Sequence, residues 1–290
     1  MAQLGVGTFI AFGLLTLTAC QSEPDPDALR GHLAADGSSS VYPFVRAAAD
    51  VFVKEHPAVS FDLVKTGSGV GIKRLTEKGD IAFANSSRAV KLDELDAAEK
   101  RGRHLHSTVV AAEAVAIVVH PDSKLDDVSL SQLKDLVFEG ATRDWSALPA
   151  SGLHGPIHVV AVDPKISGTG EFFVEHIGGK KKPPYVSGAR VVADNQDVPA
   201  AVFSDPNAIG FCSQATATSG HLRFISVAGV RPSEQTVLDT SYPINRRLFV
   251  LTDGPPMGAT ADFLLFMLSA PGQQIARQRG FTPVTLEVAL

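Results

Sequence analysis

Apolar positions along this chain follow two alternating rhythms. From about residue 31 onward, short apolar runs alternate with stretches in which apolar residues recur every three or four positions. The first rhythm fits strands and the second amphipathic helices. Residues 33–36 (LAAD) read as a short strand running into the polar string 37–40 (GSSS). Val41, Phe44, Val45, Ala48 and Phe52 then mark one helical face, closed near His56-Pro57. Residues 59–65 (VSFDLVK) alternate as a strand. Residues 66–79 read as a loop and a helix, with Gly79 placed to stop it. Residues 80–84 (DIAFA) are another strand.

The second half repeats the theme. Residues 109–121 (VVAAEAVAIVVHP) form a long apolar run that ends at a proline, a strand long enough to pass between two bodies. Residues 129–140 predict a helix capped by Ser129 or Ser131. Residues 156–163 (PIHVVAVD) are a strand leading into the loop ISGTG and a helix with Phe172, Phe173 and Ile177 facing inward. Residues 197–213 predict a helix and a buried strand. Residues 245–253 (NRRLFVLTD) are a second long strand, and 258–281 predict two helices broken at Pro271-Gly272. Such alternation implies an α/β fold with mainly parallel sheets. The two long strands would carry the chain out of one lobe and back, leaving a cleft between two lobes.

The N-terminus follows another pattern. Residues 4–20 are apolar and uncharged, slightly short of the roughly 20 residues a spanning helix needs. They end at small residues, as signal peptides do, although no Lys or Arg precedes them. Leu17-Thr18-Ala19-Cys20 resembles a bacterial lipobox, which implies cleavage before Cys20 and lipidation of its thiol. Residues 1–19 are then a lipoprotein signal peptide and 20–29 a polar, proline-containing tether. Gln21 after the cysteine, in place of a retention Asp, favours the outer membrane in a two-membrane bacterium. Cys212 is left without a partner and reads as a buried small apolar residue, so no disulfide is expected.

Composition narrows the function. The chain has 290 residues, 44% hydrophobic and 20% charged, with a formal net charge of −5. That excludes the broad basic field of a nucleic-acid binder. Any anion site must be local. Four loops have the chemistry for one: GSSSVYP (37–43), TGSGVG (66–71), NSSRAV (85–90) and ISGTGEFF (166–173). Each offers small hydroxyl side chains, and three offer glycine for close backbone approach. Unpaired N–H groups at helix starts, joined by hydroxyls, make a neutral anion cage. Arg88 would add a planar donor fork. In open α/β sheets, junctions at the carboxyl ends of strands converge on one crevice.

The stretch 37–75, GSSSVYPFVRAAADVFVKEHPAVSFDLVKTGSGVGIKRL, closely resembles the start of the bacterial phosphate-binding proteins that serve ABC importers, the PstS-like family. DIAFANSSRAVK, AIVVHP, RDWSAL, SGTGEFFVEHIGG, DPNAIGF and SYPINRRLFV extend the resemblance over nearly all of residues 30–285. It implies a two-lobed type II periplasmic-binding-protein fold, with mixed, mostly parallel sheets flanked by helices and two crossover strands. Lobe I would be 30–112 plus 247–290, and lobe II 113–246. The function implied is capture of an inorganic oxyanion, phosphate first, in the interlobe cleft for delivery to an ABC permease. The expected carrier is a lipid-anchored monomer facing the periplasm, without cofactor or nucleic acid.

Carried over by position, the oxyanion contacts are Ser39, Ser40 and the Val41 amide, Ser68, Ser87 and Arg88, and Ser167, Gly168 and Thr169. One position departs: the family commonly has an Arg four residues before the SGT serine, and here that residue is Asp163. An acid 4 Å from an anion costs roughly 4 kcal/mol per charge pair at an effective dielectric of 20. Asp163 therefore either turns away, pairs with Arg88 or Lys165, or accepts a hydrogen bond from a protonated ligand. Lys165 is a candidate replacement cation. The departure leaves open a second reading, a surface or sensor lipoprotein that reuses the scaffold with altered or weakened anion binding.

Other features carry less. His104 and His106 would share a strand face, but no carboxylate or cysteine pattern accompanies them, and no metal site is expected. There is no G-x-S-x-G elbow and no histidine spacing that suggests a triad, so the chain does not read as an enzyme. The basic stretch 178–185 (GGKKKPPY) reads as a solvated turn.

Overall fold

The structure, a computed structural model, describes Met1 and residues 29–217 and 221–285. Cys20 and the rest of the apolar leader fall outside the described residues. So does the tether up to residue 28, while Leu29 already packs against the core.

The first part of the chain builds β1 (Gly31–Gly37), α1 (Tyr42–Glu55), β2 (Val59–Leu63), α2 (Ser68–Glu77), β3 (Phe83–Ser86), α3 (Leu92–Glu99) and the long β4 (Leu105–Val119). Then come β5 (Asp127–Val128), α4 (Leu130–Lys134), β6 (His158–Val162), α5 (Gly168–Phe173), β7 (Arg190–Val192), α6 (Val198–Phe203), β8 (Ala208–Ser213), α7 (Gln214–Ala217) and β9 (Arg223–Val227). The chain closes with α8 (Glu234–Leu238), β10 (Asn245–Asp253), α9 (Gly258–Leu268) and α10 (Ala270–Gln278). Wide π-helical turns, Asp135–Glu139 and Val174–Gly178, prolong α4 and α5.

The strand order is β2-β1-β3-β10-β4-β8-β6-β7, with β9 beside β4 and β5. β1 runs parallel to β2 and β3, and β6 parallel to β7 and β8. The two long strands are antiparallel to each other. β4 pairs with β10 through Ala114 and takes β8 as partner from Val115. It thus belongs to a first sheet at its start and to a second sheet at its end. The fold is therefore α/β with a mixed sheet, and each half has its own apolar core. Phe44, Phe52, Phe83 and Phe263 centre one, and Trp145, Phe173 and Phe211 the other. Burying such side chains contributes about 1.5–3 kcal/mol each. Cys212 is fully buried in the second core, and burial followed by the charge of Glu113 pushes its thiol pKa up.

Several local expectations shift. The helical stretch 92–99 was not anticipated, because most of α3 is solvated and Ala98 is its one buried residue. The third strand falls at 83–86 rather than 80–84. The closing helices break at Ser269, not at Pro271-Gly272. Ser269 caps α10, and Pro271 sits in its first turn, where a missing N–H costs nothing. Ser129, not Ser131, caps α4, accepting from the Gln132 amide at 3.1 Å. Trp145 is fully buried and donates its indole N–H to the Asn207 carbonyl at 3.0 Å. Among the described residues no helix is long and apolar enough to cross a membrane.

Candidate functional site

The loops singled out by sequence meet where the ends of β1 and β3 face the start of α5. Asp36, buried at the end of β1, organises the first of them. One carboxylate oxygen accepts from the Gly37 amide and the Thr66 hydroxyl, both at 2.7 Å, and the other takes Arg74 at 3.3 Å. The Gly37 carbonyl accepts from the Gly67 amide at 2.7 Å, which locks loop 37–41 to loop 66–68. Gly37 has φ +136, a backbone conformation that favours glycine.

The hydroxyls converge. Ser40, Ser68, Ser87, Ser167 and Thr169 are all buried. Ser40 and Thr169, from opposite halves of the chain, share a hydrogen bond of 2.8 Å. Ser68 and Ser87 share one of 3.2 Å, and the Ser87 amide donates to Ser68 Oγ at 3.1 Å. Ser167 caps α5, its Oγ accepting from the Thr169 amide at 3.2 Å. Gly168 lies directly against the Ser68 and Ser87 hydroxyls, so close that a Cβ there would collide with both. Val41 is buried at the start of α1, which has no side-chain cap on its first amides. Ser39 is only partly buried.

The charged residues are arranged differently from the sequence reading. Arg88 is buried in an ion-pair cluster. Its Nη1 and Nη2 grip Glu94 at 2.8 Å each, and its Nε donates to Glu171 at 2.5 Å. Burial would lower its pKa, but Glu94 and Glu171 outweigh that and hold it above the ordinary value. Lys91 pairs with the same Glu171, and with Glu175 at 3.6 Å. This cluster ties the segment between β3 and α3 to α5 and its continuation.

Asp163 turns into its own loop. Its Oδ1 accepts the Lys165 amide at 2.9 Å, an Asx turn, and its carbonyl receives the Ser167 amide. The acid thus bonds the backbone of Lys165, not its ammonium, and no bond joins it to Arg88. Lys165 is exposed at a mouth of about 500 Å³, which it shares with Lys73, Val70, Ile166, Lys91 and Glu171.

A guanidinium does reach the hydroxyl corner, and sequence reasoning did not name it. Arg246 on β10 donates to Thr169 Oγ1 at 2.8 Å, Ser40 Oγ at 3.3 Å and the Gly168 carbonyl at 3.0 Å. Its counterion is Glu113 on β4, at 2.5 Å. The signal was available. Arg246 falls in phase with Leu248 and Val250, the buried face of an apolar strand, and Glu113 interrupts the apolar run of β4. Two charges of opposite sign on inward positions of two long strands imply a pair.

With this geometry in hand, comparison with known proteins is informative. Residues 22–271 match the family model described as "PBP superfamily domain". The chain is 30% identical over 260 residues to a phosphate-binding protein PstS of Bacillus subtilis, covering 88% of this chain and 81% of that one. It is 29% identical to the protein SphX of Synechococcus elongatus, over 93% of this chain and 84% of that one. A Clostridium perfringens crystal structure, a putative phosphate ABC transporter substrate-binding protein with bound phosphate, superimposes with a TM-score of 0.75 at 26% identity. That match covers 88% of this chain and 100% of the other.

Proposed function

This chain belongs to the PstS-like phosphate-binding proteins of the PBP superfamily, and from that premise we propose that it is the extracytoplasmic receptor of an ABC phosphate importer. It binds an oxyanion, phosphate first, and does no chemistry on it. One observation carries the site: buried hydroxyls of Ser40, Ser68, Ser87, Ser167 and Thr169, supplied by both halves of the chain, meet in one corner. Hydroxyls and amides donate to phosphate oxygens without placing a fixed net charge there. The contacts assigned are Ser39, Ser40, the Val41 amide, Ser68, Ser87, Ser167, Gly168 and Thr169, with Arg88 closing the rim.

Lobes of residues 30–112 with 247–290 and of 113–246 would part along β4 and β10 to admit the anion, exchanging hydroxyl–hydroxyl bonds for hydroxyl–anion bonds. Cys20, lipidated, would tether the receptor beside its permease, and Lys165 at the mouth would draw anions in. Calorimetry of the full chain in detergent with phosphate, arsenate and sulfate tests the reading. Saturable heat with phosphate supports it; no heat with any of the three overturns it.

A specific observation favours a second reading. Arg88 and Arg246 are both paired with carboxylates, and Asp163 stands where the family commonly has an Arg. A corner so neutralised suits a surface or sensor lipoprotein with weakened anion binding. Heat detectable only at millimolar phosphate would favour it.

A further inference from the structure

Glu113 and Arg246 face each other in the register of β4 and β10, with side chains 0% and 2% exposed. A guanidinium only donates. Its Nε and Nη2 both bind Glu113 Oε1, at 2.9 and 2.5 Å, and the Ser213 hydroxyl occupies the other carboxylate oxygen. Phe172 lies over the guanidinium, 5.5 Å from Cζ to ring centre. With Nη1 on the Gly168 carbonyl, the fork is fixed on every side, and the Nη2 hydrogen not given to Glu113 is shared by Thr169 and, more weakly, Ser40.

The consequence concerns hydrogens. Since Nη2 donates to the oxygens of Ser40 and Thr169, neither hydroxyl can turn its own hydrogen toward Arg246. Only one hydrogen fits the 2.8 Å bond between the two hydroxyls, so the other must point away from the pair. Anions accept and never donate unless protonated, so a site for them needs hydroxyls poised as donors. Glu113 cancels the arginine's charge, and what remains is an orienting effect.

We propose that Arg246, held by Glu113, is a positioning residue of the anion site: by donating to both hydroxyl oxygens it leaves the one free hydrogen of the Ser40–Thr169 pair to point at the ligand, and it joins the loops of both halves from the crossing strands. The proposal rests on the reading that Ser40 and Thr169 hold the anion. It also explains how the site dispenses with an arginine at position 163, since oriented neutral dipoles take over.

The test is a double-mutant cycle by calorimetry with phosphate on the full chain in detergent, comparing wild type, Arg246→Lys, Thr169→Val and the double variant. Lysine keeps the charge but cannot span two hydroxyls and a carboxylate. Each single change is expected to weaken binding about 10- to 100-fold, and the double change no more than the worse single one, because the two act through one bond. Thr169→Ser, which restores the hydroxyl, should bind like wild type. Should Arg246→Lys fail to fold, Glu113→Asp replaces it in the cycle: it keeps the ion pair but draws the fork back from Thr169. Wild-type affinity in the lysine or aspartate variant, or losses that multiply in the double variant, overturns the role of Arg246 while leaving phosphate binding intact. No heat from wild type overturns the phosphate reading and this inference with it.

Discussion

Arg88 Nε and the Glu171 carboxylate stand 2.5 Å apart, and this one pair joins the segment after β3 to the first turns of α5. Lys91 adds to the same carboxylate, and Lys65 reaches Asp194 at 3.0 Å nearby. The rim of the corner is thus laced by ion pairs running from one half of the chain to the other. Glu171→Gln removes the negative charge that Arg88 and Lys91 share and leaves Arg88 with Glu94 as its one carboxylate partner. The closed arrangement should lose about 1–3 kcal/mol. Small-angle scattering should then report a larger radius of gyration without ligand, and phosphate should restore the wild-type value. An unchanged radius would show that the pair does not govern closure.

Gly168→Ala tests the contact at the centre. The added methyl meets the hydroxyls of Ser68 and Ser87, but the backbone of Gly168 is not in the left-handed region, so the helix start tolerates it. Phosphate affinity should fall by roughly 100-fold or more, a cost of about 3 kcal/mol for a clash in a packed site. The melting temperature should stay within a few degrees of wild type. Calorimetry and thermal unfolding together check both halves of this statement.

Two changes at Asp163 separate its charge from its turn. Asparagine keeps the acceptor for the Lys165 amide and removes the charge, so phosphate should bind more tightly with stability unchanged. Arginine also removes the charge and adds a cation, so affinity should rise further, while the lost turn bond costs about 1 kcal/mol. A fall in affinity in both variants would identify the acid as a group that supports the ligand.

The rim also sets a pH dependence. Burial opposes ionisation of Glu175, but Lys182 and Lys91 outweigh it and hold the carboxyl below its ordinary 4.5. Its contribution is complete above about 4.5 and is lost as pH falls through the lower folded value. Lys91 is the mirror case. Burial opposes its charge, Glu171 outweighs that, and its pKa lies above the ordinary 10.5. Its contribution is complete below about 10.5 and disappears as pH rises through the higher folded value. The melting temperature should therefore show no slope from these two groups between those limits, and Glu175→Gln should reduce the acid limb and, because Glu175 also raises Lys91, weaken the alkaline one slightly.

Much of the fold was legible because its elements are strongly periodic. The α1 stripe from Val41 to Phe52, the apolar run of β4 and the strand 245–253 all announce buried faces. α3 was not legible, since a helix that buries only Ala98 leaves little apolar rhythm. The break between α9 and α10 was misplaced because Pro271 can either end a helix or open one, and only the Ser269 cap decides. At the site, the hydroxyl loops were readable from composition. The partners of their charged neighbours were not, because Arg88 finds Glu171 across 83 positions and Arg246 finds Glu113 across 133.

The sequence by itself thus determined the α/β alternation, the two long strands and the family to which they belong, because periodicity and loop chemistry are local properties of a chain. Tertiary structure alone decided the electrostatics of the corner. It turned Asp163 into its own loop, drew Arg88 into a carboxylate cluster and brought Arg246 from β10 to Ser40 and Thr169. The physical reason is that a buried charge must be matched by a partner within a few ångströms, and which residue lies that close is fixed by the packing of the sheets, not by position along the chain.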